Sequence, residues 1–170
     1  MANPDHLGEY SKLYYQMADL DITATGGGAV TDATILGDAA WVELCVVDVG
    51  ITRARTLREV VDRCVGDDKE YTGGKRDTGI TVNLNELRLT DTVVKAWQAL
   101  SDTSAIVALL VLNDARSETA AWGLVGNFLI EQDDDTQPSE GNNTNALTFK
   151  PAARSAYSPR VRRVYGSGIS

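Results

Sequence analysis

The chain has 170 residues, with 24 Asp and Glu against 16 Lys and Arg, one histidine and two cysteines. That length fits one domain with a real hydrophobic core, and a net charge of −8 gives a nucleic acid little to bind. The sole histidine, His6, lies near the N-terminus, which excludes Ser-His-Asp triads, histidine-based metal sites and most general-base schemes.

In chain order, Glu9–Gln16 combines Tyr10, Leu13, Tyr14 and Tyr15 and predicts a first strand. Residues 19–40 contain Gly26-Gly27-Gly28 and little charge, which predicts a flexible loop with a brief strand near Ala33–Leu36. Trp41–Val49 predicts a strand, Gly50 a turn or bulge, and Leu57–Cys64 the returning strand. A helix over 53–64 is the competing reading, disfavoured by Val60-Val61 and the lack of an N-cap before Arg53. Gly66–Gly74 reads as a polar loop.

Ile80, Val82 and Leu84 then alternate with Thr81, Asn83 and Asn85, the period of a half-buried strand. Thr90 or Asp91 can accept from free backbone N–H groups and open a helix over about 91–100. Val93, Val94, Trp97 and Leu100 form its apolar stripe, and Ser101-Asp102 is expected to end it. Ser104–Leu112 lacks alternation and predicts a strand buried on both faces. Trp122–Glu131 and Thr144–Lys150 predict two more strands, joined through an acidic loop, with a late strand at Arg160–Tyr165.

The apolar run Ala105–Leu112 is the longest and is strand-sized, so no membrane insertion is expected. The first residues carry acids and no apolar segment, so no signal peptide is expected and the chain reads as made in a cytoplasm. Cys45 and Cys64 lack CxxC or Cys/His spacing and read as small buried hydrophobes. Gly73-Gly74-Lys75 lacks the spacing and following Ser/Thr of a P-loop. Asp133-Asp134-Asp135 lacks the alternate ligand positions of a calcium loop. Asn142-Asn143-Thr144 matches a glycosylation sequon that carries little weight without a secretory signal. No catalytic residue, cofactor or metal is therefore assigned, and the chain reads as a protein that builds rather than converts.

The charge is unevenly placed. Residues 1–149 hold 11 Lys and Arg against 24 acids, or −13, whereas residues 150–170 hold five basic residues and no acid. An acidic body with a basic tail suggests docking between copies.

The order of parts resembles the major tail tube proteins of long-tailed bacteriophages. It lies in GEYSKLYYQ, then WVELCVVDVGITRARTLREVVDR, GGKRDTGITVNL, the helix DTVVKAWQAL, and the strands SAIVALLVL, WGLVGNFLIEQ and NALTFKPA. Residues 19–40 and 154–170 depart from that pattern. The resemblance implies a mainly β fold, a two-sheet sandwich or barrel-like core with one flanking helix at about 91–100, extended loops and terminal arms. On that reading 1–18 is an arm and first strand, 19–40 a Gly-rich loop, 41–151 the core and 152–170 a basic arm.

It also implies hexameric rings stacked into a hollow tube through which DNA passes without specific binding. Tail tip, terminator and tape-measure proteins would be partners, and the inner tube of a type VI-like or other phage-derived injection machine is the alternative. The expected location is the virion tail, assembled in a bacterial cytoplasm. Candidate contact residues between subunits are Arg53, Arg55 and Arg58, and Arg160, Arg162 and Arg163 of the arm. Segments 19–40, 65–75 and 131–143 are candidates for ordering on assembly. A ligand-binding β-barrel is disfavoured because the dense SAIVALLVL strand argues for a filled interior.

Overall fold

The computed structural model describes residues 12–23, 31–44, 46–60, 70–85, 91–136, 144–156 and 161–167. Its strands are β1 (Lys12–Gln16), β2 (Val42–Leu44), β3 (Val46–Val60), β4 (Glu70–Asn85), β5 (Val107–Leu112), β6 (Trp122–Thr136), β7 (Thr144–Pro151) and β8 (Val161–Tyr165). Two helices join them, α1 (Asp32–Gly37) and α2 (Asp91–Thr103). The fold is mainly β, as expected.

All eight strands belong to one antiparallel sheet in the order β2-β1-β5-β6-β7-β4-β3, with β8 added on β6. The strands at the two ends of that order, β2 and β3, are separated in sequence by residue 45 alone. The sheet must therefore bend round until its ends meet, so the barrel-like form of the expected core is the one adopted. Closure removes most of the exposed edge that an open sheet would carry.

β7 and β8 lie end to end along one edge of β6. Phe128 is paired with Val107 of β5 on one side and Pro151 of β7 on the other. The Ala152 amide then donates to the Asn127 carbonyl, and β8 resumes at Gly126 opposite Val161.

The alternation of strand side chains divides the core in two. Inside the barrel lie Leu13, Tyr15, Ile80, Val82, Leu84, Val107, Leu109, Val111, Leu124, Phe128, Leu147 and Phe149. On its outer face Tyr14, Ala108, Leu110, Leu112, Val125 and Val164 pack with Ile22, Ile35 and Trp41. β5 is buried throughout, as its unbroken apolar run predicts. Gly123 makes the tightest approach there, since a Cβ would sit 1.8 Å from the Val111 carbonyl oxygen.

Helix α2 delivers Trp97 and Leu100 into the inner cluster. The indole lies 5.0 Å from the Tyr15 ring and stands edge-on 5.7 Å from Phe149. It thus touches β1 and β7, which are three strand spacings apart along the sheet, because the barrel curves around it. The side chains of Val93 and Val94 lie outside the described residues. The helix outruns its expected end at Ser101-Asp102 and stops at Ser104, whose φ is 51°. The Ala105 amide donates to the Leu100 carbonyl and the Ser104 amide to that of Ser101, a Schellman cap with serine where glycine is usual.

Several local expectations are corrected. Ala33–Leu36 belongs to helix α1 rather than to a strand. Thr31 caps α1 by accepting from the Thr34 amide, and Trp41 closes it by donating from its indole N–H to the Ile35 carbonyl at 2.8 Å. Gly50 does not turn the chain. It pairs with Thr81 in mid-strand, and β3 runs on to Val60. Residues 70–74 of the expected polar loop are strand, with Gly73 opposite Leu57. Asp133–Asp135 likewise lie in β6 opposite Leu147–Asn145 rather than at a loop tip. The readings of Cys45 and Cys64 fall outside the described residues.

Candidate assembly surfaces

Three features of the barrel stand ready for contact with another molecule. The first is an overhanging arm. Among the described residues β4 pairs with β7 only from Ile80 to Asn85, so from Thr52 and Gly79 outward β3 and β4 pair there with each other alone. A two-stranded ribbon ending at Val60 and Glu70 therefore leaves the barrel. The sequence of this ribbon shows no apolar alternation.

The second feature is a groove between that arm and β8. One part, about 400 Å³, opens where β5 ends and β6 begins, floored by Val49, Ile51, Val111 and Leu124 and flanked by Arg53 and Arg163. The adjoining part, about 580 Å³, lies between Arg53–Arg55 and Val161–Arg163. Among the described residues no Asp or Glu lines either part. Four of the six arginines singled out from sequence, Arg53, Arg55, Arg162 and Arg163, thus meet in one groove. The Arg58 side chain and all of Arg160 lie outside the described residues. Ile51 is exposed despite its apolar side chain.

Arg162 is partly committed already. Its guanidinium donates to Oδ1 of Asp32, whose Oδ2 accepts from the Tyr165 amide at 3.0 Å. Asp32 is thereby a clasp between α1 and β8, holding the basic strand on its own barrel. Sequence reading missed Asp32, and the N-terminal place of an acid in a helix was the available signal.

The third feature is the exposed β2 edge, with Val42 and the nearby Met17 uncovered. Lys12 and Glu43 bridge β1 and β2 at 2.7 Å. A charged pair on a three-residue edge strand limits unspecific edge-to-edge pairing.

Buried Asn127 fixes the segment that leads into the α1 region. Its Oδ1 accepts from the Leu20 amide at 2.9 Å, and its Nδ2 donates to the Leu20 carbonyl at 2.8 Å and to Ser155 Oγ at 3.2 Å. Asp19 completes the junction by accepting from Ser155 Oγ and the Ala156 amide. At the end of α1, hydrogen bonds from the Ala40 amide and the Gln16 carboxamide hold the Asp38 carboxyl below the usual aspartate range, with Arg116 adding to the effect.

Among the described residues no group of three or more His, Cys, Asp and Glu is placed to hold a metal ion, and no helix is long and apolar enough to cross a membrane. Leu13, Val82, Leu109, Phe128 and Phe149 are among the buried side chains packed together in the barrel interior.

No family model and no curated protein matches the sequence. Solved structures do match. Similarity to a chain of the anti-feeding prophage baseplate has a TM-score of 0.57 at 10% identity, over 97% of this chain and 98% of that one. For the SPP1 tail tube the TM-score is 0.55 at 15% identity, over 83% of this chain and 72% of that one. For the tail of an empty gene transfer agent particle, solved with C6 symmetry, it is 0.54 at 17% identity, over 90% and 96%. The class defined is the β-rich fold of phage-type tail structures. Within it, this chain has the tail tube protein fold, which the order of sequence elements had suggested.

Proposed function

We propose that this protein is a structural subunit of a phage tail tube, forming hexameric rings that stack into a hollow tube for the passage of DNA. The observation that carries the reading is the fold itself, shared along most of the chain with tail and tail tube structures. The arginine groove, which the arm helps to line, and the β2 edge are different surfaces at different places on one subunit. Heterologous contacts of that kind close into rings or continue into open filaments. The −13 carried by residues 1–149 would let DNA slide through a lumen without sticking. Tail tip, terminator and tape-measure proteins would be the other partners, and the virion tail the location, after assembly in a host cytoplasm. The role is structural rather than enzymatic.

Negative-stain electron microscopy of the concentrated protein tests this. Sixfold rings or hollow tubes are expected. A protein that remains monomeric by sedimentation, even when seeded with a tail tip, overturns it. A second reading, an inner-tube or tube-joining subunit of a phage-derived injection machine, is favoured by the nearly full-length match to the anti-feeding prophage baseplate chain. Particles carrying the protein on a DNA-filled head would decide for the phage tail, and headless particles for the injection machine.

A further inference from the structure

The two ends of β6 differ in charge. At its start, Trp122–Leu124 forms part of the groove lined by Arg53 and Arg163, and Arg55 and Arg162 line the adjoining part. At its far end lie Glu131, Asp133, Asp134 and Asp135. Glu131 and Asp134 are exposed. The described partners of Asp133 and Asp134 are the neutral amides of Asn145 and Gln132, at 2.6 and 2.7 Å. No salt bridge to Glu131, Asp133 or Asp134 occurs among the described residues.

Twelve residues of strand separate Trp122 from Asp134, roughly 40 Å of path at the usual rise. The acidic end of β6 therefore cannot reach the groove of its own subunit, but that of another copy can. Shape agrees with charge. From Glu131 to Thr136 the described pairing of β6 is with β7 alone, leaving an extended segment with one unpaired edge. The groove likewise runs beside β8, whose described pairing is with β6 alone. An extended acidic segment entering a cleft between strands is a recurrent docking mode.

We infer that the acidic end of β6 in one copy docks in the Arg53, Arg55, Arg162 and Arg163 groove of the next, making a polar head-to-tail contact between subunits. The two patches differ, so the contact is heterologous, and each added copy presents a fresh groove or a fresh acidic end. This rests on the proposed self-assembly and names the surfaces that carry it. Its strength falls as salt rises, because the arginines at the groove margin are solvent-accessible.

Charge reversal tests it on the full chain. Arg55→Glu with Arg163→Glu, and separately Glu131→Lys with Asp134→Lys, each raise the concentration needed for polymerisation by at least about tenfold. Neither pair includes the Asp32 clasp or a core residue, and unchanged circular dichroism and thermal melting check that each variant folds. Mixing the two variants brings the unaltered acidic end of one to the unaltered groove of the other and restores their association as mixed dimers, read by sedimentation. Polymerisation of either variant at the wild-type concentration overturns the contact while leaving the tube reading intact. Folded variants that do not associate when mixed also overturn it. A wild-type protein that never assembles overturns both.

Discussion

β5 and β3 are opposites within one sheet. β5 has six residues, all buried, with Val107, Leu109 and Val111 inside the barrel and Ala108, Leu110 and Leu112 against the outer cluster. β3 has fifteen residues and among the described residues pairs only with β4. Its Ile51–Arg55 segment is exposed. Full burial of a Val or Leu side chain is worth about 1.5–3 kcal/mol, so β5 contributes stability far beyond its length. β3 contributes a little core at Val46 and Val49 and then leaves the barrel to form the arm. The fold is held largely by buried segments such as β5, which frees a long strand to carry polar contact surface.

If that division is right, substitutions inside the barrel and on the groove should separate cleanly. The largest effect is expected at Trp97, which joins α2 to β1 and β7. Trp97→Ala should destabilise the subunit by about 3–5 kcal/mol, read by denaturant unfolding, because the cavity it leaves lies between ordered strands. Next comes Asn127→Ala. It deprives the Leu20 amide and carbonyl of their partner and should cost about 1–3 kcal/mol, with faster proteolytic nicking of residues 17–23.

Asp38 should show a smaller effect with a definite pH dependence. Its folded pKa is depressed, so its contribution is present above the ordinary aspartate pKa of about 3.9 and is lost as pH falls through the folded value. Asp38→Asn should therefore melt slightly below wild type at pH 7, with the gap narrowing as the pH is taken below 4. A gap that is constant down to acid pH would remove the ionised carboxylate from the account.

The parts visible in sequence were those decided by local pattern. The unbroken apolar run of β5, the alternation of Ile80, Val82 and Leu84, and the stripe carrying Trp97 each follow from burial on a given face. The missed parts depend on pairing. Gly50 looks like a turn because glycine usually is one in such company, yet the ladder to Thr81 carries β3 straight through it. Residues 70–74 and Asp133–Asp135 look like loops because they are polar, but strand pairing alone can hold an extended polar segment. At Ala33–Leu36 the Thr31 cap and the burial of Ile35 outweigh local strand preference. No local window reveals that β2 and β3 close the barrel through residue 45.

The arginines could be nominated from sequence, but their convergence could not, because 53–55 and 161–163 meet only through the barrel. Asn127 did leave a trace, as the lone amide within the apolar segment WGLVGNFLIE, where a buried polar group must find partners.

The smallest effect on stability is expected at Ile51, and it discriminates best between the two regions. Ile51 lines the apolar floor of the groove, yet 42% of its surface is exposed in the subunit. Ile51→Glu should leave unfolding free energy within about 0.5 kcal/mol of wild type, because a large part of the side chain stays in water in the folded subunit. Assembly should respond differently, since a glutamate would place a negative charge and a hydrated head where the acidic segment of the next copy enters. The expected result is a folded protein with unchanged denaturant midpoint and a sharply reduced yield of polymer by sedimentation. Loss of stability and polymer together would mean that β3 belongs to the core after all. Retention of both would mean that subunits meet elsewhere, and attention would move to the Val42 edge.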